Sequence, residues 1–273
     1  MEPEKKMNHR LFLEKILKSA SQIAKERFGK VSGKEKADDP NQILTETDIE
    51  IGKFLGEEIR KEFPEHNLID EELGVLDNGS EFTWTVDPID GTSNFANGVP
   101  MYGIMLGLLR GSIPIAGGIS LPEFSKILVA EKGKGAFAND QKVYVTKETN
   151  LRQVLVSYGI DGHPENLSLS EEEGRFVGKL VPKIRNLRAS NSVFDTVMVA
   201  EGNYGAMMNK TSRIWDNVGE QVIIEEAGGV FTDFEGKSID FSKPLLRAKD
   251  NFMRIAGAPV IHQKIVEFIK SSS

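Results

Sequence analysis

A block of short β-type runs begins at Trp84 and limits the possible folds of this sequence. The runs are TWTV, YGIMLGLLRG, IPIAGGISL, KILVAEKG and KVYVT, and glycines and other turn residues separate them. Short runs joined in this way are typical of an antiparallel sheet. GKGAFA at 133–138 lies between two of them, so a hairpin turn is predicted there and not a dinucleotide-binding loop.

Helical patterns lie on both sides of this block. Apolar residues at helical spacing predict a helix over 9–28, a loop follows, and Thr47 with Glu50 is read as the capping box of a second helix. Beyond residue 150 the sequence predicts, in order, the strand QVLVSYGI, a polar loop, a helix at 171–186, a segment at 193–201, the strand YGAMMN, a helix that opens at Asp216, the strand MRIAGAP and a closing helix. No flexible linker marks 147–152, so we expect two tightly packed halves, 1–150 and 151–273.

Composition excludes several classes of protein. The 273 residues include no cysteine, which excludes disulfide frameworks, thiolate zinc sites and thiol nucleophiles. A net charge of −7 argues against nucleic-acid partners. No apolar run approaches the ~20 residues of a membrane-spanning helix, and the start MEPEKKMNHR lacks the apolar core of a secretory signal. We therefore expect a cytoplasmic protein without a membrane partner.

Two carboxylates follow the run TWTV in the segment Asp87-Pro88-Ile89-Asp90-Gly91-Thr92. Pro88 has no N–H for a strand ladder, so the chain is expected to turn there and direct both acids into one volume. Carboxylates so close repel one another unless a cation neutralises them, and Mg²⁺ prefers such oxygen ligands. An Asx-turn, in which both acids only cap the backbone, explains the same pattern.

Asp216 and Asp48 are open to the same two interpretations. Each lies where a helix is expected to begin, and a carboxylate there caps the helix or favours its dipole. Neither residue indicates a site when it is considered alone.

Five segments together resemble the inositol monophosphatase family of Mg²⁺-dependent, lithium-sensitive phosphatases. In chain order they are LTETD at 44–48, DEELG at 70–74, WTVDPIDGTSNF at 84–95, GKGAFAND at 133–140 and WDNVGEQVIIEEAGG at 215–229. One short motif is weak evidence, whereas five in the family's order are strong evidence.

The resemblance implies an α+β fold, a layered α/β/α/β/α sandwich of the inositol monophosphatase and fructose-1,6-bisphosphatase type, and a homodimer. It implies that two or three Mg²⁺ ions are bound by Glu71, Asp87, the Ile89 carbonyl, Asp90 and Asp216. Thr92, paired with Asp48, is expected to orient and help deprotonate the attacking water, with Glu71 in the same catalytic group. Asp90 and the N–H groups of Gly91 and Thr92 are expected at the phosphate.

The sequence departs from the family pattern on the substrate side. Asn209 occupies a position that is often acidic in the family, which puts inositol specificity in question. Arg213 and Lys210 are candidates to meet a second phosphate, although a solvated surface role explains Lys210 equally well.

The leading hypothesis is hydrolysis of a small phosphate monoester by metal-activated water. Inositol phosphate, fructose bisphosphate, histidinol phosphate and a 3′-phosphonucleotide are the substrate classes that the resemblance allows. A regulator that keeps the metal site but acts by binding RNA or protein, and a structural Ca²⁺ module, are the non-enzymatic alternatives. The four histidines are scattered and no G-x-S-x-G motif is present, which argues against a serine hydrolase.

Overall fold

The computed structural model describes residues 8–36, 39–160 and 167–272. Within these ranges the helices are α1 (His9–Arg27), α2 (Glu46–Glu62), α3 (Thr92–Ala96), α4 (Leu167–Leu180), α5 (Phe194–Ala200), α6 (Ile214–Glu226) and α7 (Pro259–Ser272). The strands are β1 (Lys34–Lys36), β2 (Asp39–Leu44), β3 (Asn67–Asp70), β4 (Gly74–Leu76), β5 (Phe82–Asp90), β6 (Gly103–Arg110), β7 (Ile113–Leu121), β8 (Lys126–Glu131), β9 (Gly135–Ala138), β10 (Gln141–Lys142), β11 (Leu155–Gly159), β12 (Asn186–Arg188), β13 (Ala206–Asn209), β14 (Val230–Thr232) and β15 (Arg254–Gly257).

The predicted antiparallel block forms most of an eight-stranded sheet in the order β10-β9-β8-β7-β6-β5-β3-β4. All neighbours in it are antiparallel except β3 and β5, which run parallel. β8 and β9 are adjacent antiparallel strands, so the hairpin predicted at 133–138 is confirmed. The parallel pair brings the carboxyl ends of β3 and β5, with the acids that follow, to one edge region of the sheet.

A second, five-stranded sheet has the order β12-β11-β13-β15-β14 and mixes parallel and antiparallel pairs. α1 and α2 cover one face of the first sheet, and α6 packs between the two sheets. α4 and α7 contact each other beside the second sheet, where the Phe176 ring lies 5.6 Å from that of Phe268 and 5.2 Å from that of Tyr158. The layered α+β sandwich implied by the resemblance is therefore confirmed.

α6 is held unusually close to the first sheet because glycines face each other there. A Cβ on Gly107 of β6 would lie 2.6 Å from the backbone nitrogen of Gly219 on α6, which is closer than real Cβ contacts. The glycines therefore let the backbone of α6 approach that of β6 closely.

Several sequence predictions of local structure were wrong. α2 is capped by Thr45 with Asp48, not by Thr47 with Glu50, because Thr45 is the last residue that keeps extended backbone. Asp216 lies inside α6 and Arg213 is its N-cap. The expected loop at 29–42 includes β1 and β2, with residues 37–38 outside the described ones.

Other boundaries moved in the second half. The helix expected at 171–186 ends at Leu180, because Pro182 follows in a short 3₁₀ turn. Of the run KVYVT at 142–146, only Lys142 joins the sheet, as the second residue of β10. The polar loop before α4 includes residues 161–166, which the structure does not describe, and the same holds for residues 1–7 of the polar start.

No helix within the described ranges is both long and apolar enough to cross a bilayer.

Candidate active site

The strand that carries Asp87 and Asp90 does not stop at Pro88. β5 extends to Asp90, but its pairing with β6 is interrupted: Asp87 is opposite Met105, Asp90 is opposite Gly103, and the two residues between leave the ladder. The expected complete break at Pro88 is corrected to a bulge, which a residue without an N–H can occupy. The bulge directs both carboxylates toward the same volume.

Asp216 completes a group of three acids. One carboxylate oxygen from each of Asp87, Asp90 and Asp216 lies within 4.8 Å of the others. The backbone N–H of Arg213 donates to the Asp216 carboxylate at 2.6 Å, and the backbone N–H of Val193 donates to Asp90. Asp216 thus belongs to the capping box of α6 and also lies in the acidic group, so the structure allows both of its sequence interpretations.

The electrostatics of the three acids favour a bound cation. Burial raises the pKa of Asp90 well above its ordinary value, and the charges of Asp216 and Glu220 raise it further. Burial also raises the pKa of Asp216, although the charge of Arg254 opposes this. Three carboxylates this close repel one another when ionised, and a hard divalent cation such as Mg²⁺ relieves the repulsion. The donor set therefore fits the metal that the resemblance implies.

The other predicted ligands are Glu71 and the carbonyl of Ile89. The backbone N–H of Glu71 donates to the Val86 carbonyl at 3.1 Å, which places Glu71 directly beyond β3 and beside β5. Its carboxylate is not a member of the 4.8 Å group. The Ile89 carbonyl accepts a hydrogen bond from the Thr92 hydroxyl at 2.8 Å.

Gly91 makes the turn between β5 and α3 possible. Its φ is +82°, and a Cβ there would lie 2.8 Å from the Ser192 Cβ and 3.2 Å from the Met101 carbonyl oxygen. Only glycine satisfies both the left-handed backbone and the close approach. The turn places Thr92 at the start of α3, where its hydroxyl faces α2.

Thr92 and Asp48 are brought together across 44 residues of sequence. The Thr92 hydroxyl lies 3.2 Å from the Asp48 carboxylate. The other carboxylate oxygen of Asp48 accepts from the Thr45 backbone N–H at 2.9 Å and from the Thr45 hydroxyl. Burial raises the pKa of Asp48 to about 6, although the hydrogen bonds from Thr45 oppose the shift. A carboxylate with such a pKa can exchange a proton near neutral pH.

The substrate-side candidates have partners within the protein. Asn209, at the end of β13, accepts from the Thr211 backbone N–H at 2.6 Å and its amide nitrogen packs against Gly159. The Arg213 guanidinium donates to the Lys249 carbonyl at 2.7 Å. Lys210 forms an ion pair with Glu172 at 2.9 Å.

Comparison with known proteins identifies the family. The model of the inositol monophosphatase family matches residues 8–271. The chain belongs to the inositol monophosphatase family. A fructose-1,6-bisphosphatase/inositol-1-monophosphatase of Aquifex aeolicus is 35% identical over 217 residues, which cover 78% of this chain and 81% of that protein. The structure of an inositol monophosphatase of Thermotoga maritima superposes with a TM-score of 0.85 at 28% identity, covering 97% of this chain and 98% of that one.

A third relative is not named as a phosphatase. A putative Nus factor SuhB of Neisseria meningitidis is 27% identical over 199 residues, which cover 72% of this chain and 76% of that protein.

The family membership indicates the class of activity. This chain is a phosphoric monoester hydrolase, and its family consists of metal-dependent phosphatases that act on small phosphorylated substrates.

Two buried charged residues of this inositol monophosphatase family member were not predicted from the sequence. Glu220 on α6 is fully buried, and Arg254 at the start of β15 is 4% exposed. Their charged atoms lie 3.2 Å apart, directly behind Asp216. Charged residues at such positions normally lie at the surface. The available signal was that α6 is apolar on several faces, which is typical of a helix between two sheets.

Proposed function

We propose that this protein hydrolyses a small phosphate monoester with Mg²⁺ as its cofactor. The observation that carries the proposal is the convergence of Asp87, Asp90 and Asp216 within 4.8 Å, beside a hydroxyl–carboxylate pair formed by Thr92 and Asp48. The first group suits a cation, and the second suits the transfer of a proton.

The proposed metal ligands are Glu71, Asp87, the Ile89 carbonyl, Asp90 and Asp216, for two or three Mg²⁺ ions. When bound, Mg²⁺ would lower the pKa of a coordinated water and neutralise charge on the phosphate. Between β5 and α3, Asp90 and the N–H groups of Gly91 and Thr92 are proposed to orient the phosphate.

The proton of the attacking water is proposed to pass toward Thr92 and Asp48, with Glu71 in the same catalytic group. The Thr92 hydroxyl has one proton and two acceptors, the Ile89 carbonyl at 2.8 Å and the Asp48 carboxylate at 3.2 Å. It can therefore donate to only one of them at a time. Donation to Asp48 leaves a hydroxyl lone pair free to accept from the water and orient it.

For the substrate, we propose a broad or bisphosphate-tolerant phosphatase. Asn209 provides a neutral amide and Arg213 a positive charge, and both suit a second anionic group better than a carboxylate would. The double name of the Aquifex aeolicus relative supports this choice. The ion pair of Lys210 with Glu172 makes Lys210 the weaker candidate for a second phosphate.

A panel of phosphate-release assays tests the proposal. Inositol 1-phosphate, fructose 1,6-bisphosphate, histidinol phosphate and a 3′-phosphonucleotide are each supplied with Mg²⁺, with and without Li⁺. We expect turnover of at least one, inhibition by Li⁺, and loss of turnover in Asp90→Asn prepared in parallel. Equal phosphate release by the parent and Asp90→Asn would show that the three acids are not the active centre.

The second candidate is a regulator that binds RNA or a protein, which the SuhB-named relative favours. The net charge of −7 opposes an RNA partner. Retention of RNA on the protein in the absence of any turnover would favour this alternative. The homodimer and the cytoplasmic location stay predictions, and sedimentation of the purified chain tests the first of them.

A further inference from the structure

A buried ion pair lies behind the three acids and touches the helix that carries one of them. Among the residues that the structure describes, Arg254 is the one lysine or arginine that is buried. Its partner Glu220 is fully buried, with 3.2 Å between Nη1 and Oε2. Because both charges have been removed from water, the pair carries a large desolvation cost.

This cost makes stability a poor explanation for the pair. Buried ion pairs replaced by apolar residues of similar volume often leave a protein equally stable or more stable. Two apolar side chains could fill this space, yet it contains a guanidinium and a carboxylate. We therefore look for a role of the pair in its contacts with neighbouring groups.

The contacts of Arg254 show what is held. Its Nη1 donates to the backbone carbonyl of Asp216 at 2.9 Å and also faces Glu220, one helical turn further along α6. Arg254 itself is fixed in β15 by its pairing opposite Asn209. The guanidinium thus ties the first turn of α6 to the second sheet at the residue whose carboxylate joins the cluster.

Asp216 is consequently held from two sides. The Arg213 N–H fixes its carboxylate at 2.6 Å, and Arg254 fixes its carbonyl. An arginine guanidinium stays charged in proteins. Arg254 therefore attracts the nearby acids, which opposes their mutual repulsion.

We propose that Arg254 and Glu220 are a positioning pair that presets the Asp216 carboxylate for the metal. Arg254 is not among the proposed metal ligands and acts through Asp216. This inference rests on the proposed function, because it assumes that the three acids bind Mg²⁺. Groups that orient the ligands of a metal without binding it commonly change its affinity by roughly 10–100-fold.

The decisive variant is the double substitution Arg254→Met with Glu220→Leu. It keeps the formal charge of the pair at zero and fills the space with apolar atoms, but removes the donor to the Asp216 carbonyl. We expect the melting temperature in chelator to be unchanged or higher. We expect the dissociation constant of Mg²⁺ alone, measured by isothermal titration calorimetry at 25 °C without substrate, to rise about tenfold.

Two further variants separate positioning from packing. Arg254→Lys keeps the charge, but its single ammonium cannot reproduce the planar fork of Arg254, so we expect a smaller loss of Mg²⁺ affinity than in the double variant. The matched control is Lys126→Met with Glu201→Leu, which removes another ion pair (2.6 Å) that joins β8 to the end of α5. The control should bind Mg²⁺ like the parent.

The outcomes are distinguishable. If the parent binds Mg²⁺ and both Arg254 variants bind it equally well, the positioning role is overturned while the proposed function stands. If the Lys126 control loses affinity as much as the double variant, the effect is general packing and the inference is again wrong. If the parent binds no Mg²⁺, the proposed function and this inference fail together. Should the double variant not fold, an unchanged dissociation constant in Arg254→Lys still overturns the inference.

Discussion

Replacing Thr92 by valine tests the proposed route of the proton. Valine keeps the β-branched shape of threonine but has no hydroxyl, so the contacts to the Ile89 carbonyl at 2.8 Å and to Asp48 at 3.2 Å are both lost. Because one hydroxyl proton serves both acceptors, the loss to stability is that of about one hydrogen bond, about 1 kcal/mol. Loss of a proton-transfer group costs roughly 10²–10⁴-fold in kcat, or about 3–5 kcal/mol of transition-state stabilisation.

The assay measures kcat and the Mg²⁺ dissociation constant together. We expect Thr92→Val to lose kcat with little change in Mg²⁺ affinity, and Thr92→Ser, which keeps the hydroxyl, to retain most of the rate. The pH profile adds an independent readout. Burial raises the pKa of Asp48 to about 6, so protonation below that pH removes the acceptor and kcat of the parent should fall as the pH decreases through about 6. The residual rate of Thr92→Val should lack this acidic limb.

The reasoning is refuted if Thr92→Val keeps kcat within a few-fold of the parent. It is also refuted if Thr92→Ser is as impaired as Thr92→Val, since shape and not the hydroxyl would then matter. Equal losses of kcat and of Mg²⁺ affinity in Thr92→Val would mean that Thr92 supports metal binding and not proton transfer.

Three further predictions address the metal and the substrate. Excess chelator should abolish turnover and added Mg²⁺ should restore it, because ionised Asp87, Asp90 and Asp216 repel one another without a cation; full activity in chelator would contradict the metal site. Asp90→Asn should abolish turnover, while the melting temperature in chelator should stay the same or rise. Burial and the charges of Asp216 and Glu220 disfavour an ionised Asp90, and the substitution removes that charge. A near-normal rate of the variant would mean that Asp87 and Asp90 have only a role in the backbone conformation. Asn209→Glu should shift kcat/KM from fructose bisphosphate toward inositol 1-phosphate by about 1–2 kcal/mol, the scale of a hydrogen bond to a charged group; an unchanged ratio would mean that Asn209 does not face the substrate.

Local patterns predicted a large part of the fold. The apolar stripe of α1, with Leu13, Ile16, Leu17 and Ala20, is fully buried as its spacing predicts. The antiparallel block and its hairpin at 133–138 also follow from alternation and turn residues. These features depend on neighbours in sequence, so the sequence alone indicates them.

Boundaries with several competing local signals were less predictable. Thr45 and Thr47 are both acceptable N-caps, and the choice of Thr45 depends on where the extended chain that pairs as β2 ends. Pro88 excludes a regular ladder, but whether the strand stops or bulges depends on β6, which resumes pairing at Asp90. The partner strand, not the proline, decides the outcome.

Sequence patterns alone indicated that Asp87 and Asp90 flank a proline that no regular ladder can include, and that five motifs follow the order of one phosphatase family. The family resemblance already grouped Asp216 with them, and the structure adds the distance of 4.8 Å. The burial of Glu220 and Arg254 behind Asp216 became visible only in the folded chain. An acid on a helix is solvated unless other elements exclude water from it. Here α6 lies between two sheets, and no window of sequence around Glu220 contains both of them.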